Sequence, residues 1–211
     1  MGCSTGVWGF IFLGADRARI GAAVSTASAY DVHVEQLQQS IKRLHEILTE
    51  ARIPYRIVGG MAVFMHVAER DPLSARLTRD VDAAVAREDL PRLIEAARKA
   101  GLDYRHAAGV DMLVDADVGG RARSAVHLIF IGEKVRASDY EPVPGSSPSR
   151  TEEGILIAPV ADLVRMKLTS FRLKDRVHIQ DLDAVGLITP EIEAALSSEL
   201  RARLVEVRAS D

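Results

Sequence analysis

Residues Tyr55–Val85, YRIVGGMAVFMHVAERDPLSARLTRDVDAAV, decide how the chain folds. Pro54 ends a helical pattern, and the four β-prone residues Tyr55–Val58 run directly into Gly59-Gly60 and then into Met61–Glu69, which reads as helix. The order is strand, glycine turn, helix. A linker holding Pro72 and Ser74 leads to Leu77–Val85, LTRDVDAAV, which is bounded by turn-formers and alternates in character as a strand does.

Working outward, Val34, Leu37, Ile41, Leu44, Leu48 and Ala51 recur at helical spacing, predicting an amphipathic helix that ends near Arg52. Downstream, Leu90–Ala100 is an expected helix with Pro91 in its first turn and Gly101 just past its end. Val110–Val114 and Ala125–Ile131 are expected strands, with Asp115–Ser124 as a hairpin-like connection. A Pro/Gly/Ser loop spans Pro142–Pro148, and Ile155–Ala158 offers a last short strand. Three helical segments complete the chain: Val160–Leu173, Asp175–Val185, and one that starts at Pro190 with Thr189 as its cap. In the last, Leu196, Leu200 and Leu204 form a stripe expected to pack on the core. Strands followed by a helical tail make an α+β chain, not a regular βαβ series.

Of the 211 residues, 47% are apolar and 27% charged, an ordinary globular balance. Lys and Arg number 27 against 30 Asp and Glu, so no global basic field draws the chain to nucleic acid or anionic membrane. Any polyanion site must be local. The single cysteine, Cys3, permits no internal disulfide, and no Cys/His cluster has zinc spacing, which suits a cytoplasmic protein. The apolar run Val7–Ala15 is about half the length of a membrane helix and lacks a basic lead-in, so neither a span nor a signal peptide is expected. Residues 1–31 are expected to be a loosely attached extension, and 32–211 one domain, with its sheet-containing part over 53–158 and a helical tail over 159–211.

Asp80 and Asp82 are the most informative pair. At i and i+2 on a strand they share a face, with Cα atoms ~6.6 Å apart. Carboxylates so placed repel unless a cation lies between them, and Mg²⁺ takes such oxygens while keeping room for water and phosphate. Read alone, an Asp-x-Asp on a strand is a solvated pair. Gly59-Gly60, read alone, is a tight turn; upstream of the acids, it is also a place where backbone N–H groups and a helix N-terminus can approach a phosphate. Lys167 is the third feature. It falls within the apolar stripe Val160, Leu163, Val164, Leu168 and Phe171, so it points inward and needs an anion. That anion is a bound triphosphate or a buried acid, for which Asp181 on the next helix is the candidate; otherwise the ammonium snorkels to water.

These pieces together resemble the minimal nucleotidyltransferases of the DNA polymerase beta-like superfamily, in particular the AbiEii-like toxin group and its bacterial relatives. The matching residues are IVGGMAV at Ile57–Val63, TRDVDAAV at Thr78–Val85, VHLIFIGEKVR at Val126–Arg136 and PVADLVRMKLTSFRLKDRVHIQDL at Pro159–Leu182. The resemblance implies a nucleotidyltransferase-like mixed β-sheet with flanking helices and a C-terminal helical segment. It implies that Gly59, Gly60 and Lys167 bind the nucleotide and that Asp80 and Asp82 bind Mg²⁺, with Mn²⁺ as a substitute. The implied reaction moves a nucleoside monophosphate from an NTP to a hydroxyl of an RNA, a protein or a small molecule, and the implied partner is the other protein of a toxin–antitoxin pair. One departure stands out: members usually carry a third carboxylate on a later strand, where this chain has His127. A neutral imidazole accepts a proton but brings no negative charge for a second metal. Asp111, Asp115 and Glu133 are the nearby acids that could replace it. The alternative reading is a catalytically impaired nucleotide-binding or partner-binding module of the same fold.

Overall fold

The computed structural model describes residues 29–78, 80–116, 125–151 and 153–210. Most of the expected extension, the Asp115–Ser124 connection beyond Ala116, and Arg79 lie outside them. Seven strands form one mixed sheet in the order β3-β4-β5-β2-β1-β7-β6. They are β1 (Tyr55–Val58), β2 (Val81–Val85), β3 (Leu102–Ala107), β4 (Val110–Asp115), β5 (Val126–Phe130), β6 (Ser149–Arg150) and β7 (Leu156–Ile157). The helices are α1 (Ala29–Glu50), α2 (Gly59–Arg70), α3 (Leu90–Lys99), α4 (Val160–Ser170), α5 (Leu173–Ala184), α6 (Pro190–Ala194) and α7 (Ser198–Ala209). The fold is α+β, as expected: a mixed sheet, flanking helices and a helical C-terminal segment. Among the described residues no helix is long and apolar enough to cross a membrane.

The register of the central strands places the site. β1 and β2 run antiparallel with Val58 opposite Asp82, while β2 and β5 run parallel with Asp82 beside His127. β7 lies parallel to β1 on its other side, Ile57 against Ile157, and leads into α4. One core joins both parts. Ile57, Ala83 and Leu128 from the sheet, Leu44 and Leu48 from α1, and Leu163 and Leu168 from α4 are all at most 3% exposed. Leu200 and Leu204 at 0% bring the last helix onto the same core, so the tail packs inward as its stripe predicts.

Several boundaries differ from the sequence reading. α1 begins at Ala29, inside the expected extension, because an apolar stripe locates a helix's face and not its ends. The strand expected over Leu77–Val85 is only Val81–Val85. Its partner β1 leaves the sheet at Gly59, so the residues before Val81 have no β1 residue to pair with. Asp80 therefore stands just outside the strand. β3 and β6 carry no alternating apolar pattern, since β3 is a largely exposed edge strand of Asp, Tyr, Arg and His. Ala108-Gly109, both at positive φ, fold β3 back onto β4. The first tail helix stops at Ser170, where Phe171 takes a left-handed conformation. Beyond it the terminal helix divides in two; Thr189 caps the first part as expected, its hydroxyl accepting from the Ile192 N–H.

Candidate active site

The site forms where β2 enters the sheet opposite the β1–α2 turn. Gly59 adopts φ +70°, and a Cβ placed on it would lie 2.0 Å from Asp82 Oδ2. Any side chain there would collide with the acid and strain the backbone. Gly60 is equally confined: its Cβ would sit 2.8 Å from Thr78 Oγ1 and 3.2 Å from His178 Cε1. The first N–H groups of α2 thus open next to an acid, and Val58 at the N-cap offers no side-chain cap. Among the described residues, Asp82 has one hydrogen-bond partner, the His127 Nδ1–H, at 3.2 Å from Oδ1. Both side chains are about one-third exposed. That hydrogen bond lifts His127 above its ordinary pKa, and the charges of Asp82 and Asp80 add to the effect. Asp80 is exposed beside them.

Within electrostatic reach of Asp82, α4 and α5 carry a wall of charged side chains. Lys167 is 6% exposed, confirming that it points inward. Its partner is Asp175, with Nζ 3.1 Å from Oδ1, and not Asp181, which instead accepts from Arg76 Nε at 2.9 Å. The correction follows from the helix break at Phe171, which turns the start of α5, not its middle, toward Lys167. Asp175 is fully buried and also accepts from Arg172 Nε at 2.7 Å, the Arg172 backbone N–H at 3.2 Å and Ser170 Oγ. Burial alone would raise its pKa, but the Arg172 hydrogen bond and the Lys167 charge outweigh that and hold it well below the usual carboxylate range. Burial draws the Lys167 ammonium down, while Asp175 and Asp82 hold it up. Arg172 also feels the charge of Asp82. The two walls thus sense each other electrostatically.

The acids nominated to replace the third carboxylate lie elsewhere. Met112 is the β4 neighbour of His127, so Asp111 and Asp115, one and three residues away, project from the opposite face. Asp111 accepts from Tyr104 and His106, Asp115 from Arg43, and Glu133 from Arg87. Among the described residues no three His, Cys, Asp or Glu side chains gather into a ready metal cage. Asp80 and Asp82 nevertheless fit Mg²⁺, which binds through one or two carboxylates and completes its shell with phosphate and water. Asp82 Oδ2 itself fills the space that a Gly59 side chain would take, which holds the acid against the start of α2.

Sequence reasoning missed Arg172, Asp175, His178 and Thr78. Arg172-x-x-Asp175 has the spacing of a helix-start pair, a signal that could have located Asp175. His178 and Thr78 carry no such signal.

No family model and no curated protein matches the chain. Among solved structures it is similar to the antibiotic-resistance factor ANT(2'')-Ia, in a solution structure (13% identity, TM-score 0.42, 84% of this chain and 85% of that one). It is also similar to a crystal structure of ANT(2'')-Ia in complex with adenylyl-2''-tobramycin (14% identity, TM-score 0.41, 82% and 98%). A third similar structure is the Megavirus polyadenylate synthase (9% identity, TM-score 0.39), of which the chain covers 36% while 91% of its own length is aligned. Likeness at this distance carries no functional argument.

Proposed function

We infer that this chain is a Mg²⁺-dependent nucleotidyltransferase, using an NTP and an acceptor hydroxyl and releasing pyrophosphate. One observation carries the reading: the uncapped N-terminus of α2, bared by Gly59, opens directly onto Asp82, with Asp80 beside it and the Lys167–Arg172 wall opposite. A cleft with one acidic and one basic side suits a metal–triphosphate complex. Asp80 and Asp82 would hold Mg²⁺ or Mn²⁺, which neutralises charge developing on the transferred phosphoryl group. Backbone N–H groups at Gly59 and Gly60 would donate to phosphate oxygens, and Lys167 adds positive charge from behind. The acceptor oxygen attacks the α-phosphorus, the bond to the β-phosphate oxygen breaks, and pyrophosphate leaves with the electron pair. The hydroxyl proton passes to Nε2 of His127, whose Nδ1–H is held by Asp82. The acceptor is an RNA, a protein or a small molecule, and the AbiEii-like resemblance adds a toxin–antitoxin partner to this proposal.

The test is pyrophosphate release with each of the four NTPs and Mg²⁺. No release with any of them, or release unchanged by Asp80→Asn, ends this reading. A second reading is supported by His127, which stands where the resemblance calls for a third acid and donates to one oxygen of Asp82. On that reading the chain binds NTP and does not turn it over, so binding without pyrophosphate release selects it.

A further inference from the structure

The Asp175 cluster singles out a group that the sequence pattern does not. Lys167, the residue expected to meet the triphosphate, is 6% exposed and already holds Asp175. Arg172 differs. Its side chain is 44% exposed, and it binds Asp175 through Nε at 2.7 Å and Nη2 at 3.4 Å, which is one of the two forked edges of a guanidinium. Among the described residues the other edge, Nη1 with Nη2, is left for a second planar or tetrahedral anion. His178, one turn along α5 from Asp175, stands 3.2 Å from where a Gly60 Cβ would be, so the start of α5, which Arg172 caps, lies at the glycine turn and not on a remote surface.

We propose that Arg172 is the residue that grips the terminal phosphates of the nucleotide through its outer edge, and that Asp175 is the positioning residue that aims it. This rests on the nucleotidyltransferase reading and adds to it a specific contact. Asp175 can do this because it is fixed from several directions: Lys167 and Ser170 from α4, and the backbone N–H of Arg172 at the start of α5. Held there, it fixes Nε and so the plane of the guanidinium. A lysine at 172 would keep the charge but lose the fork. The ligand class is a polyphosphate, so a nucleoside monophosphate, lacking the terminal phosphates, should not register the residue.

The experiment measures binding of the tightest-binding NTP, the matching NMP and inorganic triphosphate, each with Mg²⁺, to the full chain by calorimetry. Arg172→Ala should weaken NTP and triphosphate binding by about 10- to 100-fold, as expected for a lost charge-assisted pair, and leave NMP binding unchanged. Arg172→Lys should recover only part of the loss. Asp175→Asn should lower the NTP-to-NMP preference in the same direction, a change that a merely structural acid would not produce. Should that buried variant fail to fold, the two Arg172 variants, altered at a half-exposed tip, still decide. NTP binding unaffected by Arg172→Ala, or NMP binding weakened as much as NTP binding, overturns the proposal and leaves the nucleotide reading intact. Triphosphate binding that depends on Arg172, without NTP binding, does the reverse. A wild-type chain that binds neither removes both.

Discussion

Two aspartate–histidine pairs stand on the same sheet, and they do different things. Asp111 on β4 accepts from His106 Nδ1 at 2.9 Å, as Asp82 on β2 accepts from His127 Nδ1 at 3.2 Å. Asp111, however, is 8% exposed, also accepts from the Tyr104 hydroxyl, and has Arg87 at 3.8 Å. Arg87 in turn forks onto Glu133 and lies 3.3 Å over the Phe130 ring. Burial alone would raise the Asp111 pKa, but its hydrogen bonds lower it. That acid is buried among donors and a cation that the protein supplies. Among the described residues Asp82 has one donor, an acidic neighbour, and a second oxygen turned to a turn that only glycine can form. A saturated acid holds an edge strand in place. An unsaturated one keeps bonding capacity for something the chain itself does not supply.

The contrast can be broken most sharply by matched substitutions. Asp82→Asn should reduce pyrophosphate release by about 1000-fold or more, while Asp111→Asn should leave it within about threefold, by initial rates at saturating NTP. Equal losses would erase the distinction. Gly59→Ala comes next: the clash with Asp82 and the positive φ together should lower activity about 100-fold and cost about 1–3 kcal/mol in denaturant unfolding. Stability should then invert the order of the acids. Asp111→Ala should cost about 2 kcal/mol because it strips partners from a buried cluster, whereas Asp82→Ala should cost under about 0.5 kcal/mol, since it also removes repulsion with Asp80.

A pH dependence sharpens the comparison further. His178, beside Gly60, is pushed from 6.5 down to about 4, first by burial and then by the Lys167 charge. Its folded-state pKa is below the unfolded one, so the unfolded chain binds the extra proton. The stabilisation is complete above pH 6.5 and is lost as pH falls toward 4. His178→Gln should flatten the fall in unfolding free energy between pH 7 and pH 5 by ~1 kcal/mol, allowing for the ring's partial exposure. Asp175 works in a lower window: its depressed pKa means that its contribution is complete above the ordinary carboxylate value and vanishes only below it.

Much of this was legible in the chain. Tyr55–Val58 followed by Gly59-Gly60 gave both the central strand and its turn, because glycine and a short β-branched run act locally. The inward position of Lys167 was readable from helical periodicity. Its partner was not, because the angle between α4 and α5 depends on one left-handed residue, Phe171, whose conformation no spacing reveals. Asp80 reads as part of the strand but stands just outside it for a related reason: a strand's length is set by where its neighbour ends, and Gly59 ends β1. The polar edge strand β3 escaped notice because its order comes from pairing with β4 and not from its own pattern.

β1 has a consequence for how the molecule is made. This four-residue strand is flanked by β2, which carries Asp82 with Asp80 just ahead of it, and by β7, which leads to the helix bearing Lys167. During synthesis the acids emerge early and the lysine late, and neither faces the other until β7 has docked alongside Ile57. Loop closure across that span makes this pairing one of the slower steps of folding. A nascent chain that has completed only β1 to β5 therefore holds half a cleft.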